Sequence, residues 1–174
     1  MKKTLILLLC LCLICLAGTA GAASVDVNGA FRITCKVPDG YKMNSSWVDS
    51  HLFTGSLDPD DPEQPVLLLT VAWSELSNGR TLNEYSEEEI KALAETYSED
   101  LPGAEISYDT TGLGTKLIVF KVDSGSDPHL EIFTIYKGYE LSLYAYVEDG
   151  GTGKPLTADH LELIRSFLTD MTIE

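Results

Sequence analysis

The stretch from 130 to 147, LEIFTIYKGYELSLYAYV, constrains this chain more than any other. Two runs of β-branched and aromatic residues meet at Lys137-Gly138, the pattern of a β-hairpin closed by a two-residue turn. Strand side chains alternate between faces. Leu130, Ile132, Thr134 and Tyr136 therefore point one way, and Phe133 and Ile135 the other. In the return run Tyr139, Leu141, Leu143, Ala145 and Val147 oppose Ser142, Tyr144 and Tyr146. Both faces carry apolar or aromatic groups, and such a sheet needs cover on both sides. The hairpin is thus expected at the centre of a layered fold.

The N-terminus reads as a secretory signal. Lys2 and Lys3 precede an uncharged apolar core from Leu5 to Ala17, and Ala20-Gly21-Ala22 supplies a small-x-small cleavage pattern. That core is shorter than the roughly 20 residues of a membrane-spanning helix. Residues 1–22 are therefore expected to leave as a signal peptide, with retention as an anchor the alternative. Leu9, Leu11 and Ile14 precede Cys10, Cys12 and Cys15, where a lipid anchor would need a small residue. Of the four cysteines only Cys35 then remains, so no intramolecular disulfide is available. In FRITCKV, Cys35 shares its face with Phe31, Ile33 and Val37 and reads as a small buried hydrophobe.

The chain has 27 acidic and 12 basic residues, a net charge of −15 that loss of the two signal lysines makes more negative. Such a field repels nucleic acid and anionic lipid, and favours a soluble monomer. It suits cationic partners without identifying one. Residues 23–30 are small and polar and are expected to be a flexible lead-in; residues 31–174 are expected to form one domain.

Within that domain Phe31 to Val37 is a strand ended by Pro38-Asp39-Gly40, and Trp47 to Leu57 a weaker strand. Val66 to Trp73 (VLLLTVAW) reads as a strand buried on both faces. Ser86-x-x-Glu89 predicts a capping box opening a helix with core stripe Ile90, Leu93, Ala94, Tyr97 and Leu101. Two strands follow at 104–110 and 116–123, then the central hairpin and a glycine-rich loop from Glu148 to Gly153. A last helix is capped by Thr157, with Leu161, Ile164, Phe167, Leu168 and Met171 facing inward. The order is three strands, a helix, four strands and a helix. It predicts an α+β fold: an antiparallel sheet of six or seven strands with helices on its faces.

Three motifs carry a resemblance. Phe31-x-Ile33-x-x-x-Val37-Pro38-x-Gly40-Tyr41, Lys137-Gly138-Tyr139-Glu140-Leu141 and Ile164-Arg165-Ser166-Phe167 together resemble the PsbP-like superfamily over residues 31 to 170. That superfamily includes the photosystem II protein PsbP, the Ran-binding MOG proteins and many secreted bacterial proteins. The resemblance implies an α/β/α sandwich and a role in binding or assembly, with no shared catalytic set. No functional residue carries over, because no Ran-binding or photosystem-docking motif is present.

The residues themselves assemble no reaction centre. His51, His129 and His160 stand at no metal-ligand spacing, and no G-x-S-x-G elbow occurs. Gly150-Gly-Thr-Gly153-Lys154 lacks the spacing of a phosphate loop, and Pro155 stands where the magnesium-binding hydroxyl belongs. Asp58, Asp60, Asp61 and Glu63 form an acidic, proline-broken loop that offers oxygen ligands to calcium without the EF-hand pattern. Trp47, Trp73, Tyr144 and Tyr146 are expected mainly in the core. Should two helices leave part of the sheet bare, exposed aromatics would mark a binding surface. Asn44-Ser45-Ser46 is a glycosylation sequon, meaningful in a eukaryotic source. No catalytic, cofactor-binding or metal-binding residue is assigned. The expectation is a secreted or cell-envelope, non-enzymatic binding or assembly module for a protein or small ligand, with no cofactor. A small extracytoplasmic hydrolase using His129 or His51 with a carboxylate is the alternative.

Overall fold

The computed structural model describes residues 22–27, 29–48, 51–64, 66–122, 129–148, 157–169 and 171–174. The expected signal peptide lies outside these residues except for Ala22. No helix among them is long and apolar enough to cross a membrane.

The chain runs β1 (Ala22–Val27), β2 (Phe31–Lys36), β3 (Tyr41–Val48), β4 (Leu52–Pro59), β5 (Val66–Glu75), a 3-10 turn (Leu82–Glu84) and α1 (Glu87–Ser98). It continues β6 (Glu105–Thr110), β7 (Lys116–Val122), β8 (His129–Tyr136), β9 (Tyr139–Glu148), α2 (Ala158–Thr169) and β10 (Thr172–Ile173). Seven strands pair antiparallel in the order β3-β4-β5-β9-β8-β7-β6, and β1-β2-β10 form a separate small sheet.

The expected hairpin is β8–β9. Lys137 (φ +48°) and Gly138 (φ +78°) both take positive φ, the geometry of a type I′ turn whose twist matches the flanking strands. The turn is tied to the chain ahead of α1. Leu76 N–H donates to the Gly138 carbonyl at 2.6 Å, and Gly138 N–H donates to the Arg80 carbonyl at 2.9 Å. A side chain on Gly138 would meet backbone, since its Cβ would stand 2.8 Å from Gly79 Cα.

Alternation along β8 sorts the core into two layers. Leu130 and Ile132 join Leu141, Leu143, Leu69 and Val71 on one face, under the small sheet and α2. Phe31 of β2 packs edge-on against Tyr136 and Tyr139 at 5.2 and 5.3 Å. Phe133 and Ile135 face the other way and join Ile118 and Phe120 beneath Leu82, Ile90 and Ala94. The capping box forms as expected: Ser86 Oγ accepts from Glu89 N–H at 3.2 Å, and Glu89 Oε2 accepts from Ser86 N–H at 2.8 Å. Arg80 braces it with bonds of 3.0 and 3.2 Å to Glu89 while its guanidinium lies 3.7 Å above the Tyr85 ring. Helix α2 opens on a similar reciprocal pair, Thr157 with His160, at 3.3 Å each way.

Four expectations need correcting. The flexible lead-in over 23–30 is a strand as far as Val27, because Val25 and Val27 alternate with Ser24 and Asp26 and bury against the core. Its return to β2 includes Gly29 at φ +71°, whose N–H donates to Asp26 Oδ1 at 2.7 Å. Phe31 to Lys36 consequently belongs to the small sheet, so one face of the main sheet is roofed by strands as well as a helix. Tyr41 to Leu57 holds two strands, and His51 precedes β4 as an exposed residue instead of lying mid-strand. Finally β5 is buried on one face only: Leu67, Leu69, Val71 and Trp73 are inside, whereas Leu68, Thr70 and Ala72 are half-exposed.

Candidate functional site

Helix α1 is 12 residues long, about 18 Å, and packs over the β7–β8 end of a seven-stranded sheet roughly 30 Å across. Among the described residues no helix covers the α1-side face of β4, β5 and β9. Among the described residues no side chain on that part of the face is buried, and Thr54, Ser56, Leu68, Thr70, Tyr144 and Tyr146 are all half-exposed. Strand register places these groups in rows: Thr54, Thr70, Tyr144 and Glu131 in one, Ser56, Leu68, Tyr146 and His129 in the next. Leu52, Ala72 and Ser142 make a third row that runs under α1 at Phe133.

Aromatic contacts and charge-assisted bonds hold the face in shape. The Tyr144 ring lies 4.3 Å from the His129 imidazole and 5.2 Å from Tyr146. Ser142 Oγ donates to Glu131 Oε1 at 2.7 Å, and Ser56 Oγ donates to Asp58 Oδ1 at 3.0 Å. At the border with α1, Tyr97 OH donates to Glu140 Oε2 at 2.8 Å; burial, then this bond, push the Tyr97 phenol pKa up. Among the described residues the face between β4 and β8 presents carboxylates at Asp58, Glu131 and Glu140 and no lysine or arginine. It presents rings, hydroxyls and acids beside Leu68 and Ala72.

On this face no serine stands within reach of a histidine among the described residues. Ser142 directs its proton to Glu131, and His129 stands opposite Tyr146, four residues further along β9, about 13 Å away at strand rise. A nucleophile and its base must lie within hydrogen-bond reach. His51 is exposed on the loop before β4, where its carbonyl accepts from Trp73 N–H at 3.0 Å, and His160 caps α2. The three histidines thus occupy three separate places.

The other sequence features disperse in the same way. Trp73 is buried on the opposite face from Tyr144 and Tyr146, so the expected aromatic group divides. The Trp47 side chain and the Gly150–Lys154 loop lie outside the described residues. The carboxylates of 58–63 point apart. Asp58 accepts from Ser56, Asp60 approaches Lys42 at 4.0 Å, and Asp61 accepts from Glu63 N–H at 3.0 Å. Among the described residues no group of three acidic, histidine or cysteine side chains converges as a metal site would require. Cys35 is buried as expected, and desolvation pushes its thiol pKa up to about 12. Asn44 of the sequon is exposed.

Sequence reasoning had singled out Tyr144 and Tyr146 but missed Thr54, Thr70, Glu131 and Ser142. The available signal was weak: one threonine inside the apolar run VLLLTVAW, and one serine two residues after Glu140 inside YELSLYAYV. Only strand register shows that they stand side by side.

No protein-family model matches the chain, and no curated protein sequence matches it. Among solved structures the chain is similar to cyanobacterial PsbP (CyanoP) from Synechocystis sp. PCC 6803, at 14% identity and a TM-score of 0.46, covering 91% of this chain and 95% of that one.

Proposed function

We propose that this chain is a non-enzymatic, extracytoplasmic binding protein that holds a basic protein surface against the open face of its main sheet. The carrying observation is the α1-side face of β4, β5 and β9, which no helix covers among the described residues, with Tyr144 and Tyr146 half-exposed on the same face as Glu131 and Asp58 and no lysine or arginine on those strands between them. Tyrosines supply large, rigid contact area at protein interfaces. The carboxylates and the net charge of −15 favour a cationic partner and speed its approach. The signal-like N-terminus supports action outside the cytoplasm.

Affinity capture tests the reading, using wild-type chain and the variants Thr70→Arg and Glu131→Lys on extracytoplasmic extracts of the source organism. Wild type should retain a discrete basic protein that salt releases, and both variants should lose it. Equal retention by both variants, or no retained species at low salt, would overturn the proposal.

A further inference from the structure

The two edges of the main sheet are built differently. On β3 the pairing register shifts between Met43 and Ser45, the kind of bulge that blunts an edge. Strand β6 pairs with β7 in unbroken register, and all six of its residues are exposed on both faces. Its sequence EISYDT contains neither proline nor lysine, the residues that usually guard an edge. Thr111 N–H bonds inward to the Thr115 carbonyl at 2.9 Å. Backbone groups of an antiparallel strand alternate between its two sides, so those of Ile106, Tyr108 and Thr110 point to the outer edge. Thr110 N–H is satisfied by Asp109 Oδ1 at 2.8 Å. The donors and acceptors of Ile106 and Tyr108 face solvent.

A groove flanks this strand on each face. On the α1 side a groove of about 500 Å³ lies between Tyr108 and the helix, floored by Ile90 and rimmed by Lys91 and Lys116. Among the described residues neither lysine is held in an ion pair. On the α2 side a groove of about 200 Å³ is lined by Val119, Leu130 and Leu161, with Lys121 and Arg165 at its rim. An added strand sends alternate side chains to opposite faces, hence one set into each groove. Four bases stand along this edge against Glu87, Glu105 and Asp109, in a chain where acids outnumber bases 27 to 12 overall.

We infer that β6 is a second binding site, independent of the open sheet face, which takes an extended peptide as an eighth strand. Apolar side chains of that peptide enter the α2-side groove and acidic ones reach Lys91 and Lys116. Backbone bonds to Ile106 and Tyr108 supply the pairing, and the lysines supply the sign of charge. A second copy of this chain fits poorly, because the net charge of −15 on each opposes the pairing.

The test titrates isotope-labelled full chain with an eight-residue peptide alternating valine and glutamate, followed by amide chemical shifts and exchange. The Ile106 and Tyr108 amides should shift and gain protection. A peptide methylated on the backbone nitrogens facing β6 should bind at least tenfold more weakly. Lysine in place of glutamate should also weaken binding at least tenfold, although the chain's overall charge favours the lysine peptide. Ile106→Pro removes an outward donor at an edge where proline is tolerated; Tyr108→Ala keeps the backbone and opens the groove. Each should weaken binding. The inference is overturned by no change at β6 with millimolar peptide, by equal binding of the methylated peptide, or by a preference for lysine.

Discussion

Replacing Gly138 with alanine tests how the central hairpin is seated. The substitution meets two costs. Gly138 sits at φ +78°, where an L side chain costs about 1–2 kcal/mol. The new Cβ would also stand 2.8 Å from Gly79 Cα and 3.0 Å from Gly79 N, both backbone atoms that move only with their loop. That loop is fastened by Leu76 N–H on the Gly138 carbonyl, Gly138 N–H on the Arg80 carbonyl and Lys137 N–H on Thr81 Oγ1. Losing one or two of these bonds adds about 1–2 kcal/mol. The expected total is about 2–4 kcal/mol, or a fall in Tm of about 10 °C for a chain of this size. Gly40→Ala and Gly79→Ala are the controls: each glycine has positive φ, and a Cβ there meets nothing within 4 Å. Urea unfolding followed by tryptophan fluorescence should show each control costing about 1–2 kcal/mol and Gly138→Ala clearly more. If all three cost the same, the close approach of the hairpin to Gly79 does not exist and the reasoning fails.

Leu143 is fully buried and its neighbour Tyr144 is half-exposed, so Leu143→Ala should cost about 2–5 kcal/mol in the same assay while Tyr144→Ala costs about 1 kcal/mol. Equal losses would place Tyr144 in the core. The Glu89 carboxyl is held at about 2, first by its bond to Arg80 and then by the Ser86 N–H. A folded pKa below the unfolded one gives stability that is present above the ordinary carboxylate range and is lost as pH falls from about 4.5 to about 2. Glu89→Gln should flatten that part of the acid-unfolding curve; an unchanged curve would remove the Arg80–Glu89 brace. Cys35 should react with a thiol reagent at mildly alkaline pH only as fast as the chain unfolds, since burial keeps it protonated. Rapid stoichiometric labelling of native chain would contradict its position. Asn83 Nδ2 donates to the Gly114 carbonyl and its Oδ1 accepts from Lys116 N–H, both at 2.8 Å. Asn83→Ala should cost about 1–3 kcal/mol in urea unfolding and speed amide exchange at Lys116.

The central hairpin was legible because both of its periodicities and its turn chemistry agree. Lys137-Gly138 supplies the positive φ values, and Leu130 to Val147 alternates cleanly. Helix α1 was legible for a similar reason, as Ser86 and Glu89 announce its start. The small sheet was hidden. Val25 and Val27 are only two apolar residues among small polar ones, and β10 is two residues long. Both strands exist because β2 offers partners, which no local pattern records. The asymmetry of β5 was hidden as well: VLLLTVAW is apolar on both faces, and whether Leu68 and Ala72 are covered depends on where α1 lands. The binding face was half legible. Tyr144 and Tyr146 stood out, whereas Thr54 and Thr70 meet them only through the β4-β5-β9 register, a product of long-range pairing. The same holds for β6, whose EISYDT looks like an ordinary strand until its outer neighbour proves absent among the described residues.

The central claim is that the half-exposed α1-side face of β4, β5 and β9 is where this chain meets its partner. Site-specific photo-crosslinking in the living source tests it most directly, with the photoreactive residue at Thr70 on that face or at Glu95 on the solvent side of α1. The account predicts one discrete protein adduct from Thr70 that Glu131→Lys abolishes, and none from Glu95. Adducts of equal intensity from both positions, or none from Thr70, would contradict it.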